Sequence, residues 1–363
     1  MKKKIVLTIP ALKKGGAEKV FADLALSFDK KIFDILVIVF DGSESFFLKK
    51  IKKKVKVIDL NKKKVSFGII KFVKIVNNFN PEYIFSTLGN LNIAICLVRF
   101  FFKKNVKIIV RETNFLSKNI NQNKFPIIWK ILYKIFLKKS DNIIALSKSI
   151  KTDLIKNFKI QKKKIKVIYN PVNFKNISKL SKLKCKLDLT IDKKCTIFLA
   201  CGSLSYKKGF DILIDALKFV NSNNYKLLIL GSGPEEKNLK KQVKDLNLIG
   251  KVKFLKFLKN PYPVMQASDV IIISSRHEGC SNVMLEGLFL KKPIISVPCN
   301  GANVEILQNK KNCFISKNCS SLSLSKIIND FLSKKKKKNE TFLEKKFETS
   351  NIIKQYQNLI LNT

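Results

Sequence analysis

The sequence predicts an α/β protein of two doubly wound domains facing across a cleft. Three observations lead there. Short runs of Ile, Val, Leu and Phe alternate with amphipathic segments of helix length along the whole chain. These runs are apolar on both faces, as strands of a parallel sheet covered by helices must be. The alternation breaks once, at 171–194, where PVNFKNISKLSKLKCKLDLTIDKK is polar and lysine-rich and marks a hinge. With 363 residues the chain is long enough for two separate cores.

The first domain, residues 1–175, opens on IVLTIP and continues through FDILVIVF, VKVIDL, YIFST, VKIIVRE, NIIALS and IKVIYN. The start, MKKKIVLTIPALKKGG, has the charged beginning of a secretory signal. Its apolar run spans only about eight residues, is cut by Lys13 and Lys14, and lacks a small-x-small cleavage site, so it reads as a first strand. The segment NQNKFPIIWKILYKIFLKK interleaves Trp129, Tyr133 and Phe136 with lysines at helical spacing, which suits either an interfacial membrane helix or a core helix. The second domain, residues 190–335, carries CTIFLACG, YKLLILG, VKFLKF, DVIIISS and PIISVP. A lysine tract at 334–338 then leads into a final amphipathic helix from about Glu340 to Leu361, the core of a segment 340–363 expected to pack back on the first domain. No run of 18 or more apolar residues occurs, so no spanning helix is expected.

The formal charge is +46, with a net +32 on residues 1–200 and +14 on residues 201–363. Such an excess favours acidic partners: an anionic membrane surface, phosphorylated substrates or nucleic acid. The abundance of Lys, Asn, Ile and Phe also fits an A/T-rich coding sequence, which accounts for part of the charge without any partner. The eight cysteines form no C-x-x-C pair and there is one histidine, so no zinc site is expected and reduced thiols in a cytoplasmic protein fit best.

Three loops at strand-to-helix junctions carry the chemistry. In IPALKKGGAEKVFADLAL, Gly15 and Gly16 form a tight turn before a helix, where exposed N–H groups make an anion site or simply a turn. In ACGSLSYKKGFDILIDAL, Lys207 and Lys208 precede a helix that starts after Gly209, either reaching a phosphate or forming a solvated face. The third, SSRHEGCSNVMLEGLFLKKP, holds Glu278 and Glu286 on either side of a Gly279-Cys280-Ser281-Asn282 turn, with Ser281 or Asn282 as N-cap. If helix-end amides take phosphates, the two acids are left with neutral partners, the hydroxyls of ribose and of a sugar. His277 reads as a packing or orienting group and not a catalytic base.

Taken together these stretches resemble a family 4 glycosyltransferase of GT-B architecture, two Rossmann-like domains. The resemblance runs through GGAE, IYNPV at 168–172, KKGFD, LLILGSGPEEKNL at 227–239 and E-x7-E in EGCSNVMLEG, in order over most of residues 1–310. It implies a retaining enzyme without metal or other cofactor, which takes a sugar from a nucleotide diphosphate donor, usually UDP-linked. The acceptor would be a glycan or a polyprenyl-diphosphate-linked sugar at the cytoplasmic face of a membrane. Carried over by position, Lys208 pairs with the diphosphate and the amides of Gly279, Cys280, Ser281 and Asn282 hold phosphate oxygens. Glu286 takes the ribose hydroxyls, Glu278 lies at the transferred sugar, and Gly15 and Gly16 close on the donor from the other domain.

Two positions depart from the family pattern. Ser203 stands where an arginine usually completes the phosphate clamp, a loss that Lys207 can make up only without a bidentate grip. Thr113, after Arg111 and Glu112, stands where many members carry a histidine, which points to a subgroup. The GLFLKKP segment also replaces small residues usual there. Sugar-nucleotide 2-epimerases and phosphorylases share the architecture but suit the E-x7-E loop less well. A basic nucleic-acid-binding protein would explain the charge, but not three phosphate loops, and no nucleic-acid reader motif is present.

Overall fold

The computed structural model describes residues 1–13, 15–43, 45–121, 124–184, 195–333 and 343–363. The lysine tract at 334–338 and residues 185–194 of the expected hinge lie outside them. The chain forms two compact units, Met1–Pro171 with Lys346–Thr363, and Val172–Lys345.

The first unit holds seven strands: β1 Lys3–Ala11, β2 Phe33–Asp41, β3 Lys56–Asp59, β4 Tyr83–Thr87, β5 Lys107–Glu112, β6 Asn142–Ala145 and β7 Ile165–Val167. They form one sheet in the order β3-β2-β1-β4-β5-β6-β7. Every pairing is parallel. Ile5, Leu7 and Ile9 of β1 are fully covered, as are Val6 and Thr8 between them, so the strand is buried on both faces. That is the physical reason for the continuous apolar runs.

The second unit holds β8 Thr196–Cys201, β9 Tyr225–Leu230, β10 Val252–Leu255, β11 Val270–Ile273, β12 Ile294–Ser296 and β13 Cys313–Ile315. Their order is β10-β9-β8-β11-β12-β13, again parallel throughout. Phe198, Leu227, Ile272 and Ile295 form its core with Leu324 and Ile328 of the helix Ser321–Ser333. Twelve of these thirteen strands coincide with apolar runs legible in the sequence; β13 does not.

Two expected elements change. The final helix runs from Thr349 to Leu361, later than the expected start at Glu340, a residue outside the description. Phe347 is buried against Tyr169, with ring centroids 5.5 Å apart, and Glu348 is extended, so the chain turns before the helix begins. The helix then sets Ile352, Ile353, Tyr356 and Ile360 into the core of the first unit. The segment around Trp129 is a helix over Pro126–Phe136, and it buries Tyr133 alone.

In an open parallel sheet, ligands bind beyond the carboxyl ends of the strands where the strand order reverses. The first unit reverses between β1 and β4, whose ends carry Gly15-Gly16 and Leu88-Gly89. The second reverses between β8 and β11, whose ends carry the Lys208 loop and the Glu278 turn.

Candidate active site

Strand β8 ends at Cys201, and Gly202 follows with φ of +156°, a backbone state open to glycine. The stem of Lys208 lies over it, since a Cβ at Gly202 would come within 3.0 Å of the Lys208 Cε. Tyr206–Lys208 form a single 3-10 turn, and Gly209 at φ +62° passes the chain against the carbonyl of Ser274. Ser274 Oγ in turn donates to the Lys208 carbonyl at 3.0 Å. The loop after β8 is thereby fastened to the loop after β11.

The Lys208 ammonium meets Glu278 at 2.7 Å and 3.0 Å to the two carboxylate oxygens, with 17% and 13% of the side chains exposed. Ser275 Oγ donates to the same carboxylate at 2.9 Å. Burial alone would raise the Glu278 pKa, but Lys208, Lys207 and the two hydrogen bonds outweigh it and hold the carboxyl below its ordinary range. Burial draws the pKa of Lys207 down, Glu278 opposes this and the Lys208 ammonium adds to it. Both lysines therefore stand in the Glu278 neighbourhood and neither is a solvated surface charge. Glu278 is thereby partnered by one cation, Lys208, and one hydroxyl, Ser275.

The helix after the turn spans Asn282–Phe289, and Ser281 caps it by accepting from the Met284 N–H. Glu286, four residues into this helix, is 7% exposed and accepts from the Tyr262 hydroxyl at 3.2 Å. Glu286 and Lys208 both act on the partly buried Cys201 thiol, whose pKa rises first through desolvation and then through Glu286, with Lys208 opposing. The two carboxylates and Lys208 thus share one neighbourhood. The amide of Ser281 is taken by Asn303 Oδ1 at 3.3 Å, so the four expected phosphate donors are not equivalent. His277 is 8% exposed and pairs through its backbone with Asn300. Ser203, by contrast, is exposed and sits next to Ser205, the hydroxyls 3.2 Å apart.

Sequence reasoning passed over two supports. Arg276 donates from Nη1 to the Tyr206 carbonyl at 2.6 Å and to Asp211 at 2.8 Å, and its guanidinium carbon lies 3.8 Å from the Tyr206 ring centre. Its own N–H donates to the Lys207 carbonyl at 2.9 Å, so one arginine grips the lysine turn from both sides. The segment Asn300–Asn303 braces the Glu278 turn from behind. The Glu278 N–H donates to the Asn300 carbonyl at 3.3 Å, the Ala302 N–H donates to the Gly279 carbonyl at 2.8 Å, and Gly301 at φ +135° lies against the Glu278 carbonyl. The Asn-Gly turn pair in NGAN was the signal available in the sequence.

In the first unit the helix Gly16–Ser27 starts where expected, with Gly15 as its N-cap. Its Glu18 carboxylate folds back over Gly15 onto its own N–H, so this helix end already faces a carboxylate. Burial raises the Glu18 pKa, and the N–H and Arg111 oppose it. Arg111 is fully buried and spends its guanidinium on Tyr356, Asn170 and Thr87, at 3.0, 2.7 and 3.3 Å. Glu112 is 2% exposed and accepts from Asn92 at 2.6 Å, and Thr113 is buried behind it. Leu88, between β4 and the helix Gly89–Leu97, sits at φ +77°, a strained state for a branched side chain at the carboxyl end of this central strand.

The Glycosyltransferase Family 4 model matches residues 14–176, and the Glycosyl transferases group 1 model matches residues 184–347. An N-acetylgalactosaminyltransferase of Campylobacter jejuni, acting by its name on a diphospho-undecaprenol-linked sugar, is 30% identical over 78% of each chain. The chain belongs to the family 4 glycosyltransferases. An uncharacterised glycosyltransferase of Methanocaldococcus jannaschii is also 30% identical, over 65% of this chain and 60% of that one. Among solved structures, Anabaena HepE in complex with UDP and glucose superposes with a TM-score of 0.80, at 22% identity, over 99% of this chain and all of that one. The GT-B fold expected from the sequence is therefore present, and this glycosyltransferase has the two Rossmann-like sheets of its relatives.

Proposed function

We propose that this glycosyltransferase is a retaining, metal-independent hexosyltransferase. It moves a hexose or N-acetylhexosamine from a UDP-linked donor to a glycan or polyprenyl-diphosphate-linked acceptor, in surface polysaccharide or glycoconjugate synthesis at the inner face of the cell membrane. The observation that carries this reading is the cluster of Lys207, Lys208, Glu278 and Glu286 at the reversal point of the second sheet. The Campylobacter relative, named for an α-linked transfer onto a lipid diphosphate, and the UDP held by HepE point the same way.

On this reading a donor diphosphate competes with Glu278 for Lys208. The sugar C1–O bond to the β-phosphate breaks as the acceptor hydroxyl bonds C1 from the same face and gives its proton to the departing phosphate, and the two lysines neutralise the charge that collects on this leaving group. Glu278, released from Lys208, accepts sugar hydroxyls, while Glu286 accepts the ribose hydroxyls. Both acids contribute by alignment and neither needs to attack the sugar.

Calorimetric titration with UDP and steady-state kinetics on a UDP-sugar panel test these roles. Glu286→Ala removes a buried charged acceptor, worth about 1.5–3 kcal/mol, and should weaken UDP and donor alike by roughly ten- to a hundredfold. Glu278→Ala should keep UDP affinity and depress kcat. The opposite pattern would reverse the roles, and parent rates in both variants would remove the site. Turnover should persist in excess EDTA; a strict need for Mn²⁺ or Mg²⁺ would reject charge neutralisation by the lysines.

A further inference from the structure

The helix Pro126–Phe136 turns Tyr133 inward, 4% exposed and packed on the Phe158 ring. On its other side Ile127, Ile128, Ile131 and Ile135 are 73%, 56%, 51% and 50% exposed. At 3.6 residues per turn these four positions share an arc of about 100° opposite Tyr133. Phe100 and Phe101 of the 3-10 turn Val98–Phe101 are also 75% and 69% exposed. Lys139 lies between this turn and the end of the helix, its ammonium 4.4 Å from the Phe100 ring centre and 4.9 Å from that of Phe136, to the side of the isoleucine arc. Apolar residues scattered singly are ordinary on a surface, but a contiguous face of this kind marks a binding surface.

The charge around the face selects its occupant. Residues 113–140 contain six lysines and no Asp or Glu. Residues 89–106 add Lys103 and Lys104, and Arg99, whose charge is paired with Asp141 at 2.9 Å. A second copy of the chain would bring one lysine ring against another. A convex row of isoleucines rimmed by lysines instead matches an anionic bilayer, with acyl chains against the isoleucines and headgroups against the ammoniums.

We propose that this face docks the protein on an anionic membrane by shallow insertion of the isoleucines. The inference deepens the proposed function by naming its partner surface, and rests on that reading only for the membrane-side acceptor. Docking goes beyond the general attraction of a basic chain to acidic lipid, because insertion survives screening and attraction alone does not.

Vesicle co-sedimentation of the full chain tests it, with phosphatidylcholine vesicles containing or lacking phosphatidylglycerol. The parent should bind the anionic vesicles and keep part of that binding at high salt. The pair Ile127→Glu with Ile131→Glu should weaken it at least about tenfold per site, given the worth of burying an isoleucine, and should leave the UDP titration unchanged. Equal binding by variant and parent would overturn insertion and leave the lysines alone responsible. Failure of the parent to bind anionic vesicles would overturn docking altogether. So would lipid-free self-association, or capture of an acidic protein, that the same pair abolishes. If UDP binding fails while vesicle binding behaves as stated, the donor reading falls and the docking face stands.

Discussion

Replacing Glu112 by Gln should stabilise the first unit, increasingly as pH rises. Glu112 ends β5 with 2% of its surface exposed, and its neighbour Arg111 points its guanidinium at Tyr356, Asn170 and Thr87. Burial raises the carboxyl from 4.5 to about 7, Asn92 and Arg111 oppose, and Asp153 adds to the rise. A folded-state pKa above the unfolded one means that the folded chain holds the proton more tightly. The stabilisation is complete below about pH 4.5 and is lost as pH climbs through about 7. At 1.36 kcal/mol per unit, the swing is roughly 3 kcal/mol. Glutamine keeps the shape and the acceptor for Asn92 but cannot ionise. Variant and parent should therefore unfold alike near pH 4 and differ by roughly 3 kcal/mol at pH 8, several degrees in Tm for a unit of this size. Urea unfolding at a series of pH values measures this, and the difference between the two proteins cancels every other titrating group. A flat difference, or a parent that gains on the variant with rising pH, would show that Glu112 is ionised throughout and that the burial argument is wrong.

Arg276→Ala should loosen the Tyr206–Lys208 turn, raising KM for the donor and lowering kcat/KM by roughly ten- to a hundredfold, the cost of losing charged hydrogen bonds. Arg276→Lys should not rescue it, since an ammonium cannot fork Asp211 and reach the Tyr206 carbonyl together; full rescue would mean that charge, and not geometry, holds the turn. Gly301→Ala sets a Cβ against the Glu278 and Gly279 carbonyls at φ +135° and should cost about 2 kcal/mol of stability and weaken UDP binding. Gly250→Ala, with nothing within 4 Å, is the control, and equal behaviour of the two in thermal melts and UDP titration would remove the brace.

What the sequence displays is whatever repeats locally. A strand such as Ile5–Ile9 is apolar on both faces because both are covered, and burial writes that pattern directly into the residues. The Ser281 cap was legible for the same reason, since donor and acceptor lie three residues apart. Strand β13 was hidden because Cys313, Phe314 and Ile315 are only partly buried and pair with β12 alone. The site was half legible. Its loops could be placed at strand ends, but Lys208 and Glu278 are 70 residues apart and Arg276 and Asp211 are 65 apart. No local period encodes such pairs; they follow from the strand order that sets β8 beside β11.

The pairing pattern also explains why acids gather at this site in a chain with 72 basic and 26 acidic residues. Adjacent lysines repel, and the pKa of Lys207 is lowered first by burial and further by Lys208. Without a counter-charge the turn that carries them would swing toward water, where each ammonium is better solvated. Glu278 holds Lys208 inward and Asp211, through Arg276, holds the backbone of the turn. The carboxylate also lends its charge to a place where a diphosphate carries more. A ligand with one weak negative charge gains little by displacing Glu278, whereas a diphosphate can take both lysines at once and leave the acid to neutral hydroxyls. The ion pair is therefore a threshold as well as a brace: it keeps the cations oriented and favours the ligand with enough charge to take them over.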